Sequence, residues 1–141
     1  MKLDHLKTFN LLYAATPYTR YAGGIHHAFI DACKITERML RAGLLNVYSP
    51  IVHSHSLAIY GNLDPLDHSI WLPFNEAIIG KSDALVVVML VGWESSNGVR
   101  LEIQTFIAAG KPVYFMSPDD LSFEPCSSEE RAIFLAAARA A

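Results

Sequence analysis

The sequence predicts an α/β fold in which helices cover both faces of a parallel sheet. Residues 84–91, ALVVVMLV, are apolar at every position, the pattern of a strand buried on both sides rather than on one. Short apolar runs alternate with segments of helical periodicity, the order expected of βαβ units. The 141 residues are 52% hydrophobic and 18% charged, enough apolar material for a substantial core within one domain spanning 1–141. Right-handed crossovers then give a Rossmann-like or flavodoxin-like three-layer sandwich, with four or five parallel strands in the order 2-1-3-4.

Each element has its own signal. Residues 9–15, FNLLYAA, form a buried strand that ends at Thr16-Pro17. Residues 23–43 follow as a helix, with Ile25, Phe29, Cys33, Met39 and Leu40 as its apolar stripe and Gly43 at a left-handed exit. Residues 44–48 are the second strand, closed by Ser49-Pro50, and 51–65, IVHSHSLAIYGNLDP, read as a loop too long to be only a connector. Asp67 or Ser69 caps a helix reaching about Ile79. After the strand at 84–91, a helix over 98–109 leads to a fourth strand, Val113–Met116. Ser127 and Glu130 have capping-box spacing ahead of a terminal helix over 129–140.

Composition excludes several classes of function. A net charge of -3 and the absence of a Lys/Arg run argue against a nucleic-acid polymer as partner. The first ten residues hold no apolar signal-peptide core, and 84–91 is far too short to span a bilayer. The chain therefore reads as cytoplasmic with no membrane partner, and Cys33 and Cys126 as free thiols. No Walker A loop, dinucleotide-binding glycine fingerprint or nucleophile elbow is present.

In an open parallel sheet, ligands bind beyond the carboxyl ends of the strands, where strand order reverses. Three polar segments fall there: 13–20, 49–57 and 92–102. In GWESSNGVRLE (92–102), Ser95, Ser96 or Asn97 caps the next helix, whose amides suit a phosphate or carboxylate as well as plain capping. Glu102 lies about one turn into that helix among valine and leucine. It is either a desolvated carboxylate able to act as nucleophile or base, or an ordinary first-turn glutamate. Trp93 is placed either to stack on a flat ligand ring or to lid the core. In extended backbone, His53 and His55 point the same way and suit substrate hydrogen bonding; a metal pair lacks a third ligand at diagnostic spacing. Tyr13 ends a buried strand with its hydroxyl near the site, Thr16 begins the following loop, and Arg20 can pair with an anion or remain a solvated charge.

Three segments together resemble the nucleoside 2-deoxyribosyltransferase superfamily, and most closely a small bacterial branch of it. They are YAATPYT (13–19), SPIVHSHSLA (49–58) and SDALVVVMLVGWESSNGVRLEIQTFIAAGKPVYF (82–115). The resemblance spans roughly 9–116. It implies N-glycosidase or deoxyribosyltransferase activity on a nucleoside 5′-monophosphate, without cofactor or metal, often in a homo-oligomer. It implies that Glu102 attacks the anomeric carbon and that Tyr13 orients it. It implies that Ser96, six positions earlier, binds the 5′-phosphate; the residues themselves add Gly98, Trp93, Thr16, Arg20, His53 and His55 as candidate substrate contacts, with Glu94, His53 or His55 as candidates for a supporting role in the chemistry. Enzymatic members carry an aspartate eight residues ahead of the position matched by Asp83. Here that place holds Asn75, whose amide cannot serve as a general acid, and Glu76 points about 100° away. The same fold without the chemistry would leave a nucleotide-binding or sensing domain. The apolar tail AIFLAAARAA (132–141) suits either a subunit interface or packing on its own sheet.

Overall fold

The computed structural model describes residues 1–140. A 3-10 helix, Leu3–Thr8, precedes β1 (Leu12–Ala15), α1 (Ile25–Arg41), β2 (Val47–Tyr48), α2 (Pro50–Gly61), α3 (His68–Lys81) and β3 (Ala84–Val88). A 3-10 turn at Trp93–Ser95 leads to α4 (Asn97–Ala108), β4 (Val113–Met116), β5 (Phe123–Pro125) and α5 (Ser128–Ala140). The five strands form one sheet in the order β2-β1-β3-β4-β5. The first four run parallel in the expected 2-1-3-4 order, while β5 pairs antiparallel with β4, so the sheet is mixed rather than wholly parallel.

Successive residues of a strand face opposite sides of the sheet. Ala84, Val86 and Val88 of β3 pack with Leu12, Ile35 and Met39 on the α1 side. Leu85 and Val87 pack with Tyr13, Val99, Ile103 and Phe106 on the α4 side. Every residue of β3 is buried, as its unbroken apolar run requires. The same alternation turns Tyr13 toward α4, which fixes its relation to Glu102.

Several local expectations shift. The stripe of α1 is Ala28, Ala32, Ile35 and Met39, while Leu40 is 43% exposed. Alanines let the helix approach the sheet closely, so Phe29 and Cys33 fall on its flank. Gly43 does adopt the left-handed conformation at the exit (φ +93°). The segment 51–65 is not a loop: Ser49 caps a helix whose first residue is Pro50, a proline placement with no N–H to satisfy. That helix is apolar nearly all round, so it lacks the one-sided stripe that announces a surface helix. The first strand begins at Leu12, the second at Val47, and the third ends at Val88. The missed edge strand follows a tight connection in which Ser117 N donates to Ser122 O (2.8 Å). Pro125 is tolerated because no further strand requires its N–H. The capping box at Ser127 and Glu130 is closed by reciprocal bonds of 2.9 and 3.1 Å. Among the described residues, no helix is long and apolar enough to cross a membrane.

Candidate functional site

β1 pairs with β2 on one side and β3 on the other, and the crossovers around them leave on opposite faces. The crevice beyond Ala15 and Val88 is therefore the place where strand order reverses. Two adjoining cavities open there. The inner one, 270 Å³, is lined by Thr16, Asn75, Ser96, Gly98 and Glu102, with Trp71 and Leu72 among its apolar walls. The outer one, 470 Å³, is lined by Arg20, Gly92, Ser95, Ser96, Asn97 and Gly98. Tyr18, Thr19, His68, Leu72, Ser96, Gly98 and Leu101 border both.

Glu102 lies in α4, three residues after buried Val99 and four before buried Phe106, at the edge of the face packed on the sheet. The residue is partly buried and borders the inner cavity, with its carboxyl largely desolvated. Burial pushes that carboxyl up to about 7 from an ordinary 4.5, and the Tyr13 hydroxyl pulls it partly back by favouring the anion. The group is thus divided between acid and anion near neutral pH.

Tyr13 lies directly beneath. It is fully buried, its ring against Phe106 (5.7 Å between centroids) and Tyr48 (6.0 Å). Burial raises its phenol far above the usual value, and the Glu102 charge raises it further. The hydroxyl is close enough to Glu102 for each to bias the other, but a hydrogen bond of ordinary length and angle does not join them.

Five buried side-chain polar atoms lack a hydrogen-bond partner among the described residues: Tyr13 Oη, Thr16 Oγ1, Asn46 Oδ1, Tyr48 Oη and Asn75 Oδ1. Thr16 and Asn75 line the inner cavity, Tyr13 approaches its Glu102, and Tyr48 packs on Tyr13. Each such group costs about 1–3 kcal/mol when unsatisfied, and folded proteins pair about 90% of them. The gathering of four of the five around one carboxylate, Asn46 lying apart, marks a place that fits the polar groups of a ligand.

The outer cavity has anion-binding character. Ser96 is the N-cap of α4, its Oγ accepting from Val99 N at 3.3 Å, and the amides at the helix start add the positive end of the dipole. Arg20 borders the same cavity and makes no ion pair among the described residues. Gly92 turns the chain out of the strand with φ +88°, a conformation that a side chain would strain.

Four expected ligand contacts are absent from both cavities. Trp93 packs against Phe115 (5.3 Å) and borders a separate groove beside β5, so it lids the core on the other side of the turn. Glu94 is exposed, and its backbone carbonyl accepts from Arg100 at 3.3 Å. His53 and His55 lie on helical rather than extended backbone, so they point about 160° apart. His53 stacks on Phe74 (4.8 Å, 10° between planes). His55 is buried behind Tyr18, whose hydroxyl meets its Nδ1 at 2.5 Å. Among the described residues, no three His, Cys, Asp or Glu side chains cluster in a way that could hold a metal.

Tyr18, His68, Trp71 and Glu76 also border the inner cavity; Tyr18 belongs to the segment 13–20 expected at the site without having been singled out, and the other three were not expected there. The retrospective signal is positional: Tyr18 lies in the loop after β1, and His68 directly follows the Asp67 cap of α3. Glu76 joins Asn75 on the rim because the cavity wraps around that helix. Residues 10–118 match the model of a protein family described as a domain of unknown function, and the matched span contains every residue that borders the two cavities. No curated protein matches the chain.

Proposed function

The chain belongs to the family of that domain, DUF1937, and from the site within it we propose an N-glycosidase or deoxyribosyltransferase acting on a (deoxy)nucleoside 5′-monophosphate, with Glu102 as nucleophile. The observation that carries this reading is a desolvated carboxylate bordering a cavity, with unpartnered polar groups around it and an anion-binding helix start next to it. The likeness to nucleoside 2-deoxyribosyltransferases supports the same assignment, as does the Rossmann-like layering of the sheet and helices. Sugar and base occupy the inner cavity and the phosphate lies against Ser96, Gly98 and Arg20 in the outer one.

The Glu102 anion attacks C1′, a bond forms between its oxygen and C1′, and the bond from C1′ to the base nitrogen breaks. A proton reaches the departing base. Water, or a second base in a transfer reaction, then attacks C1′ and releases Glu102. The logic is that of retaining glycosidases, which pair a nucleophile with a proton donor. With its carboxyl pushed up to about 7, Glu102 has both acid and anion within reach near neutral pH, and the anion is the form that attacks. Tyr13 favours the anion of that carboxyl. Asn75 can offer its amide N–H to the leaving base but no proton, and a reaction left without any proton donor would run about 10²–10⁴-fold slower.

That amide favours a second reading, a nucleotide-binding domain of the same fold with impaired chemistry. Several apolar side chains on α2 and α3, including Ile59, Tyr60 and Phe74, are exposed, which supports a homo-oligomer. We place the protein in the cytoplasm, with no cofactor or metal. The test is release of free base from a panel of deoxynucleoside monophosphates at high enzyme concentration. Release abolished by Glu102→Ala supports the glycosidase. Thermal stabilisation by a nucleotide without any release supports the binding domain. Neither effect across the panel contradicts both.

A further inference from the structure

We propose that Tyr18, His55 and His26 form a proton relay from solvent into the inner cavity, and that Tyr18 donates the proton that Asn75 cannot supply to the leaving base. The proposal rests on the glycosidase reading. Tyr18 comes from the loop after β1 and borders both cavities. Its hydroxyl meets His55 Nδ1 at 2.5 Å, and His55 Nε2 meets Nδ1 of His26 at 3.2 Å. His55 is 3% exposed and is held by Phe29, whose ring stacks on it at 4.7 Å. His26, at the start of α1, is exposed. Tyr18, at one end of the chain of bonds, thus borders the cavity, and His26, at the other, is exposed to water.

The groups have suitable resting states. Burial and the neighbouring His26 hold the His55 imidazole below its usual basicity, which favours its neutral form. Burial pushes the Tyr18 phenol up to about 12, so it keeps its proton until a base withdraws it. In the donating arrangement, His26 Nδ1–H donates to His55 Nε2, His55 Nδ1–H donates to the Tyr18 oxygen, and Tyr18 O–H faces the ligand. As the bond to the base breaks, the Tyr18 proton passes to the base nitrogen. The His55 Nδ1 proton replaces it on Tyr18, the His26 Nδ1 proton moves to His55 Nε2, and His26 takes a proton from water at Nε2. The sum is one proton from solvent to the departing base. A purely structural bond would instead anchor the loop after β1 on α2 and carry nothing.

Two substrates separate the alternatives. A nucleotide with an ordinary base needs a proton on its leaving group, whereas an N7-methylated purine nucleotide releases a neutral base without one. Tyr18→Phe is expected to lower kcat by about 10²–10⁴-fold on the first and by less than about tenfold on the second, with His55→Gln showing the same selectivity. Equal losses on both substrates overturn the relay and leave a structural role. The glycosidase reading fails separately, if the wild-type protein cleaves neither nucleotide. The relay is then read by proton NMR of the His55 ring N–H with added deoxynucleoside monophosphate. A slowly exchanging signal that moves with ligand in wild type, but not in Tyr18→Phe, upholds it. A signal indifferent to ligand or to Tyr18→Phe overturns it.

Discussion

Replacing Glu102 with glutamine should remove the reactive group and stabilise the fold, but only above mildly acidic pH. The carboxyl ionises near 4.5 in the unfolded chain and about 7 in the folded one, because burial disfavours its charge. The folded state thus binds the extra proton more tightly. The stability this provides is fully present below pH 4.5 and is lost as pH rises through 7. The gap, 7 − 4.5 = 2.5 pH units, corresponds to about 3 kcal/mol for a fully enclosed group. Glu102 keeps some exposure, so solvent screening makes about 2 kcal/mol the working figure. Glutamine is nearly isosteric and never ionises. Thermal unfolding followed by circular dichroism between pH 4 and 9 provides the assay. The melting temperature of Glu102→Gln minus that of wild type should climb between pH 4.5 and 7, then level off roughly 6 °C higher. Two curves that stay parallel across the range would refute the desolvated carboxylate, and with it the physical basis for a nucleophile at this position.

Other perturbations follow from the same geometry. Tyr13→Phe removes the group that favours the Glu102 anion, so the acid limb of the kcat–pH profile, centred near 7, should move to higher pH; an unmoved limb would contradict the coupling. Asn75→Asp places a second acid beside the inner cavity, so on the Tyr18→Phe background it should restore base release by at least about tenfold, measured by base quantification; no recovery would show that position 75 does not reach the leaving base. Ser96→Ala removes the α4 cap and should lower stability by about 1 kcal/mol in chemical denaturation. In calorimetric titration it should also weaken a nucleoside monophosphate more than the free nucleoside, whereas equal weakening would contradict the phosphate assignment. His53→Phe should leave ligand affinity unchanged, because that ring packs on Phe74 rather than bordering either cavity.

The elements read most easily from sequence were those whose information is local. The unbroken apolar run of β3, the Ser96 cap and the Ser127/Glu130 box each declare themselves within a few residues, and Thr16, Ser96, Gly98, Asn75 and Glu102 do border one cavity. α2 hid because its apolar residues surround the helix, and Ile51 and Val52 favour extended backbone in isolation. That error reversed the geometry of His53 and His55, since side chains two apart share a side on a strand and diverge on a helix. β5 hid because three residues acquire strand geometry only by pairing with β4, a contact made across a turn and invisible in composition. Trp93 follows a glycine whose positive φ redirects the chain, so its position at the strand end did not predict its direction.

A crystal structure with a nucleoside 5′-monophosphate bound to Glu102→Gln tests the central assignment most directly. The account predicts the phosphate at the start of α4, near Ser96 and Arg20, with the residue-102 side chain about 3–3.5 Å from C1′. A ligand whose phosphate occupies the inner cavity, or whose anomeric carbon lies well beyond reach of residue 102, would contradict it.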